Sequence, residues 1–318
     1  MKKWLLNSLG TSIVLPAFLA FSCQKNVTNT KKSITLKKVD TFQNNKSINF
    51  LLNKFFSNNE KEISTFLNNQ NNINNSKFDE LKYALLWFEP FRSISNEKAG
   101  GFASLVDASR KILVNNLDKN WFWFLKNIKN SSFIFNPYGS YYSAFSNEQN
   151  DFEYIQEKFP SLSLNLESNE IIDHLVVDIP QSAYDVYDQK QAIYLIYSSN
   201  FAIKFYNWNN TEKLLIPDVY YLPDAQNIEQ TKEILTTFEN QIWSEYNQWI
   251  IDEIEYQKGY NDPSYDPENT KQKFNDKHLL TQFNRVAYSY MSKIAINNLN
   301  ANQKQIYKFT WKDINENS

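Results

Sequence analysis

An α+β fold is predicted by three features of the chain: apolar residues at helical spacing over 40–130, a switch to strand-like alternation over 131–223, and a return of the helical stripe over 224–318. Ordering helices before and after a contiguous run of strands points to an antiparallel sheet rather than to alternating strand–helix units.

In the first region Phe50, Leu51, Phe55 and Phe56 recur at helical spacing, followed by Phe66 and Leu67 and by a segment over 78–87 that Pro90 stops. The asparagine-rich stretch 68–75 reads as a loop, and Gly100-Gly101 breaks the chain before a helix starting near Asp107. Leu113, Leu117, Trp121, Phe124 and Ile128 follow at steps of three and four, which places all five on one face of a continuous helix. In the second region Leu162, Leu164 and Leu166 alternate with polar neighbours, and 175–179 is a short apolar run. Segments 192–197 and 201–208 flank Ser198-Ser199-Asn200 as a hairpin, and 214–222 is a strand interrupted at Pro217. In the third, Ile234, Phe238, Ile242, Tyr246, Trp249 and Ile254 form a helical stripe ending at Gly259, a second helix spans 278–299, and 305–311 is a closing strand.

Ahead of the predicted body stands a different kind of sequence. Lys2-Lys3, an apolar run over 4–21 and Cys23 have the layout of a lipoprotein signal peptide, with 1–22 removed and Cys23 acylated. Residues 23–39 form a polar tether carrying Lys25, Lys31, Lys32, Lys37 and Lys38, either a solvated spacer or an electrostatic aid to anchoring on anionic headgroups. The ectodomain then spans 40–318, on the outer face of the cell membrane. Cys23 is the single cysteine of the chain, so a disulfide within one chain is impossible. A net charge of −2 supplies no basic field for nucleic acid.

The densest feature is aromatic: Trp121-Phe122-Trp123-Phe124, then Phe133, Phe135, and Asn136-Pro137-Tyr138-Gly139 leading to Tyr141 and Tyr142. Consecutive apolar residues on a helix spread around its circumference. Trp121 and Phe124 can therefore face one core, while Phe122 and Trp123 need a second surface, either more of the same chain or a partner. Asn136-Pro137 and Gly139 favour an exposed turn, which makes Tyr138, Tyr141 and Tyr142 candidates for partner contact together with Phe122 and Trp123. The run 120–139, with its Trp-x-Trp pair followed by Phe-x-Phe-Asn-Pro, resembles the mollicute aromatic motif, or aromatic cluster, membrane lipoproteins. That resemblance implies a cell-surface lipoprotein and carries over no catalytic residue.

The chemistry-bearing residues are sparse. His174 and His278 are the only histidines, and on a strand His174 and Asp178 stand about 13 Å apart, too far to share an ion, so His174 reads as structural. No zinc-protease, dithiol, nucleophile-elbow or phosphate-loop motif occurs. Asp262, Asp266 and Glu268 cluster, but Pro263 and Pro267 interrupt them and the glycine of a calcium loop is missing. Glu253 and Glu255 read as a solvated helix face. Neither catalytic residues, metal ligands nor a cofactor is assigned. The expected function is a non-enzymatic surface lipoprotein binding a protein partner, host-derived or another surface component. The alternatives are a substrate-binding lipoprotein of a transporter and a carboxylate-based hydrolase.

Overall fold

The computed structural model describes residues 42–87, 103–135, 166–167, 170–181, 187–198, 200–259 and 286–316. The chain divides into two units, Met1–Val39 and Asp40–Ser318, and every described residue belongs to the second. Cys23, Tyr138, Tyr141, Tyr142, Leu162, Leu164, the Asp262/Asp266/Glu268 cluster and His278 lie outside the described residues.

Among the described residues five α-helices precede the sheet: α1 (Lys46–Phe55), α2 (Glu60–Asn71), α3 (Ser76–Trp87), α4 (Ala103–Lys119) and α5 (Trp121–Lys126). Asn45 starts α1, its side-chain oxygen accepting the Ser47 and Ile48 amides at 2.9 and 3.3 Å while its Nδ2 donates to the Ile171 carbonyl at 2.8 Å. One residue thus caps a helix and docks it on the sheet. The asparagine-rich stretch is shorter as a loop than expected, because α2 runs on to Asn71.

The stripe from Leu113 to Ile128 is buried throughout, but it does not lie on one continuous helix. The chain leaves α4 after Lys119, restarts at Trp121, and places Ile128 in a turn of 3₁₀-helix over Ile128–Asn130. Asparagine side chains mark the break: Asn120 donates to Asn116 Oδ1 at 2.7 Å and Asn127 to the Trp123 carbonyl at 2.8 Å. Such side chains compete with the backbone for hydrogen bonds and weaken a helix at the residues they occupy.

Six strands form one antiparallel sheet: β1 (Ser131–Phe135), β2 (Ile171–Asp178), β3 (Lys190–Tyr197), β4 (Phe201–Trp208), β5 (Glu212–Tyr221) and β6 (Tyr307–Ile314). Their spatial order is β1-β6-β5-β4-β3-β2. Strands β2 to β5 make a meander, and the last strand in sequence pairs with both β5 and β1. The C-terminal strand is therefore interior to the sheet. Leu166 is buried but belongs to no strand. Pro217 does not interrupt β5: Ile203 pairs with Val219 and Lys204 with Ile216, so Pro217 and Asp218 form a bulge in which proline's missing N–H costs no bond to β4. The turn between β4 and β5 holds Asn209 and Asn210 at φ 51° and 59°, a region asparagine tolerates better than most side chains.

After β5 the described residues form two further α-helices, α6 (Ile228–Gly259) and α7 (Val286–Ala301), which pack against each other. The sheet lies between two helical layers. Alternate residues of β4 show it: Phe205 meets Phe55 of α1 and Trp121 of α5 at 5.5 and 5.4 Å, while Tyr206 meets Trp243 of α6 at 5.7 Å. Every residue of β3 is buried, as expected of a strand covered on both faces.

Candidate functional site

Two features carry chemistry, one on each face of the sheet. On the face toward α1 to α5 lies the aromatic cluster. Trp121 is enclosed by Phe55, Phe66 and Phe205 with ring centroids 5.7, 5.4 and 5.4 Å away, and Phe124 meets Trp311 of β6 at 4.7 Å. These two rings face the sheet. Phe122 turns to Phe42 at 5.1 Å and Phe66 at 6.2 Å, and Trp123 to Phe78 of α3 at 4.9 Å. The second surface that Phe122 and Trp123 require is thus supplied by the chain itself, and the two side chains are 0% and 6% exposed. They are packing residues, because α2 and α3 close over them. Gln70 of α2 locks that closure: its Oε1 accepts the Trp123 amide at 3.0 Å, and its Nε2 donates to the Lys119 carbonyl at 3.1 Å and to Asn120 Oδ1 at 3.3 Å.

Beside α2 the cluster reaches the surface. Phe66 continues from Trp121 to Phe56, 4.9 Å away, and both rings line an open groove of about 560 Å³ with Asn59, Lys61, Glu62, Thr65 and Asn69. Ser57 and Asn58, at φ 50° and 59°, make the sharp α1–α2 corner between the lining residues Phe56 and Asn59.

On the opposite face, against α6, the sheet buries charge. The Glu239 carboxylate receives four donors: Oε2 accepts from Lys204 Nζ at 2.9 Å and from the Tyr194 hydroxyl, and Oε1 accepts from the Tyr206 hydroxyl at 2.6 Å and Trp243 Nε1 at 2.8 Å. Four donors fill the acceptor capacity of a carboxylate. The Lys204 amine also donates to the Tyr206 hydroxyl at 2.8 Å and lies 4.6 to 5.5 Å from the ring centroids of Tyr194, Tyr206, Tyr220 and Phe238, an aromatic enclosure suited to a cation. Burial pulls Lys204 below the usual ammonium range, with Glu239 opposing that pull. Next to this pair, Asp218 of β5 accepts from Thr310 Oγ1 at 2.7 Å and stands 4.0 Å from Lys308 Nζ of β6. Burial drives Asp218 above the usual carboxylate range and Lys308 below the usual ammonium range. Lys204, Glu239 and Asp218 are all 0% exposed, so the network meets protein on every side.

None of these buried ions was singled out by reading the sequence, although a signal was there. Leu235, Glu239 and Trp243 are spaced by four within the buried stripe of α6, and Lys204 stands mid-strand between Ile203 and Phe205. The predicted structural histidine is placed as such. His174 Nδ1 lies 3.1 Å from Ser47 Oγ, and its ring stacks on Phe50 at 4.2 Å. Burial lowers its pKa from the ordinary value, Lys46 and Lys232 adding to the effect and Asp173 opposing it. Asp173 itself pairs with Lys232 at 2.7 Å. Among the described residues no group of three or more His, Cys, Asp or Glu side chains is placed to hold a metal ion, and no helix is long and apolar enough to cross a membrane.

Comparison with curated proteins and with solved structures yields no match. A family model does match, over residues 24–261, and its description is aromatic cluster surface protein. Its span takes in α1 to α6 and strands β1 to β5, including the cluster around Trp121 and the Lys204–Glu239 pair. A cell-surface location fits that description. The chain belongs to the aromatic cluster surface protein family.

Proposed function

We propose that the protein is held on the outer face of the cell membrane by lipid on Cys23 and uses its ectodomain to bind a protein partner, without catalysing a reaction. Lys2-Lys3, the apolar run 4–21 and Cys23 support the anchor, and the lysine-bearing polar segment behind them suits a spacer between membrane and body. The observation that carries partner binding is the groove at the α1–α2 corner. There the buried aromatic cluster comes to the surface through Phe56 and Phe66, beside the amides, acid and amine of Asn59, Asn69, Glu62 and Lys61. An apolar floor with a polar rim is the composition of a protein contact site. Tyr138, Tyr141 and Tyr142 remain the second candidate surface.

Two measurements test the two halves of this reading. Detergent-phase partitioning of Cys23→Ser should move the protein to the aqueous phase, and a variant that stays in detergent with an intact N-terminus would make 4–21 an uncleaved anchor. For the contact surface, Thr65→Arg fills the groove from an exposed position, and a Tyr138/Tyr141/Tyr142 triple alanine variant strips the other candidate. Both variants should melt like the wild type. Recovery of protein partners from host serum or surface-labelled cells should fall in at least one of them, and undiminished recovery by both would overturn partner binding at these surfaces.

A further inference from the structure

The Asp218–Lys308 pair differs from its neighbour in one respect that matters chemically. Glu239 is saturated by four donors, whereas Asp218 Oδ2 has no hydrogen-bond partner and Lys308 Nζ stands 4.0 Å from it. Asp218 is directly opposite Thr310 in the β5–β6 register and Tyr220 is opposite Lys308, so Lys308 lies diagonal to Asp218, a separation a lysine side chain spans. Both residues are buried, at 0% and 1% exposed. Thr310 donates to the other oxygen, Oδ1.

We propose that Lys308 and Asp218 are joined by a side-chain amide, an isopeptide bond that the folded protein forms by itself. The lone pair of Lys308 Nζ attacks Cγ of Asp218 and makes the C–N bond. The Cγ–Oδ2 bond then breaks, and Oδ2 leaves as water, taking the proton of the carboxylic acid and one proton of the amine. The amide nitrogen keeps the remaining hydrogen, and no oxidant or co-reactant is needed.

Three conditions favour this step at this place. The amine must be neutral to be a nucleophile and the carboxyl neutral to lose its oxygen, and burial pushes each group toward its neutral form. The Thr310 hydroxyl, aimed at Oδ1, stabilises the negative charge that gathers there as the tetrahedral intermediate forms. The strand register holds the reacting atoms near each other, which removes most of the entropy cost of bringing them together. The same conditions do not hold for Lys204 and Glu239, where four donors already fill the carboxylate. The consequence suits a chain with a single cysteine, which has no disulfide to draw on. The bond closes a loop from β5 through α6 and α7 to β6, fastening the interior C-terminal strand and lowering the entropy of the unfolded chain.

Peptide mapping of the full-length protein decides the matter. After denaturation and complete trypsin digestion, peptide 214–232 should appear only joined to peptide 305–312, lighter than the sum of the two by one water and uncut at Lys308. Lys308→Arg, which keeps a long nitrogen-bearing side chain but cannot make this amide, should release peptide 214–232 as a linear species. Linear 214–232 together with cleavage after Lys308 in the folded wild type would overturn the proposal. So would a branched species that persists in Lys308→Arg, since it would place the link at another lysine.

Discussion

Glu239, in the middle of α6, accepts a 2.9 Å hydrogen bond from Lys204, in the middle of β4, and neither side chain is exposed. Two oppositely charged residues therefore set where the longest helix docks on the sheet. Desolvating both ions is costly, and their mutual attraction repays it only while all four donors to the carboxylate stay in place. Removing one ion leaves the other buried and unpaired.

Glu239→Gln should therefore destabilise the fold by about 3 to 5 kcal/mol, and a Lys204→Met/Glu239→Gln double variant should recover a large part of that loss. Urea unfolding of the two variants checks this. A single variant within 1 kcal/mol of wild type, on the order of an exposed pair, would show that the ion pair contributes nothing to docking.

Gln70 serves three bonds across the α2 to α4–α5 junction. Gln70→Ala strands the Trp123 amide and loses the bond to the Lys119 carbonyl, at a cost of about 1 to 3 kcal/mol. Gln70→Glu should restore the contact with the amide but not the donors, and so should fall between the two in chemical denaturation.

Trp121→Ala and Phe122→Ala should each cost about 3 to 5 kcal/mol, since both rings are fully buried among other rings. Their equal severity is the informative outcome in a thermal melt. A mild Phe122→Ala would mean that the α2–α3 cover can close onto the vacated space.

His174 makes stability depend on pH in a definite direction. Its folded pKa lies below the ordinary value of 6.5, so between 6.5 and the folded value the unfolded chain binds the proton and the folded chain does not. Stability contributed by neutral His174 should be present above pH 6.5, decline as pH falls through that window and level off below it. Subtracting the profile of His174→Phe, which keeps a ring for Phe50 to stack on, isolates this slope in denaturant titrations at several pH values. A slope of opposite sign would mean that Asp173 outweighs burial.

Period and punctuation in the chain were enough to determine the kinds of element and their order. The hairpin around Ser198-Ser199-Asn200, the long helix after Asn227 and the strand near the C-terminus are local matters, settled by spacing and by turn residues. The aromatic run 121–124 likewise announced a segment needing cover on two sides. What covers it was a tertiary decision. The residues that close over Phe122 and Trp123 come from Phe42, Phe66 and Phe78, far away in sequence, and no periodicity within 121–124 specifies them. The break at Asn120 was missed for a similar reason, because steps of three and four continue through it while Gln70, distant in sequence, takes up the Trp123 amide and the Lys119 carbonyl. The buried ions depend most on the tertiary structure. A lysine in a strand and a glutamate in a helix read as solvated surface until pairing makes their burial tolerable, and only the packing of α6 on β4 brings Lys204 and Glu239 together.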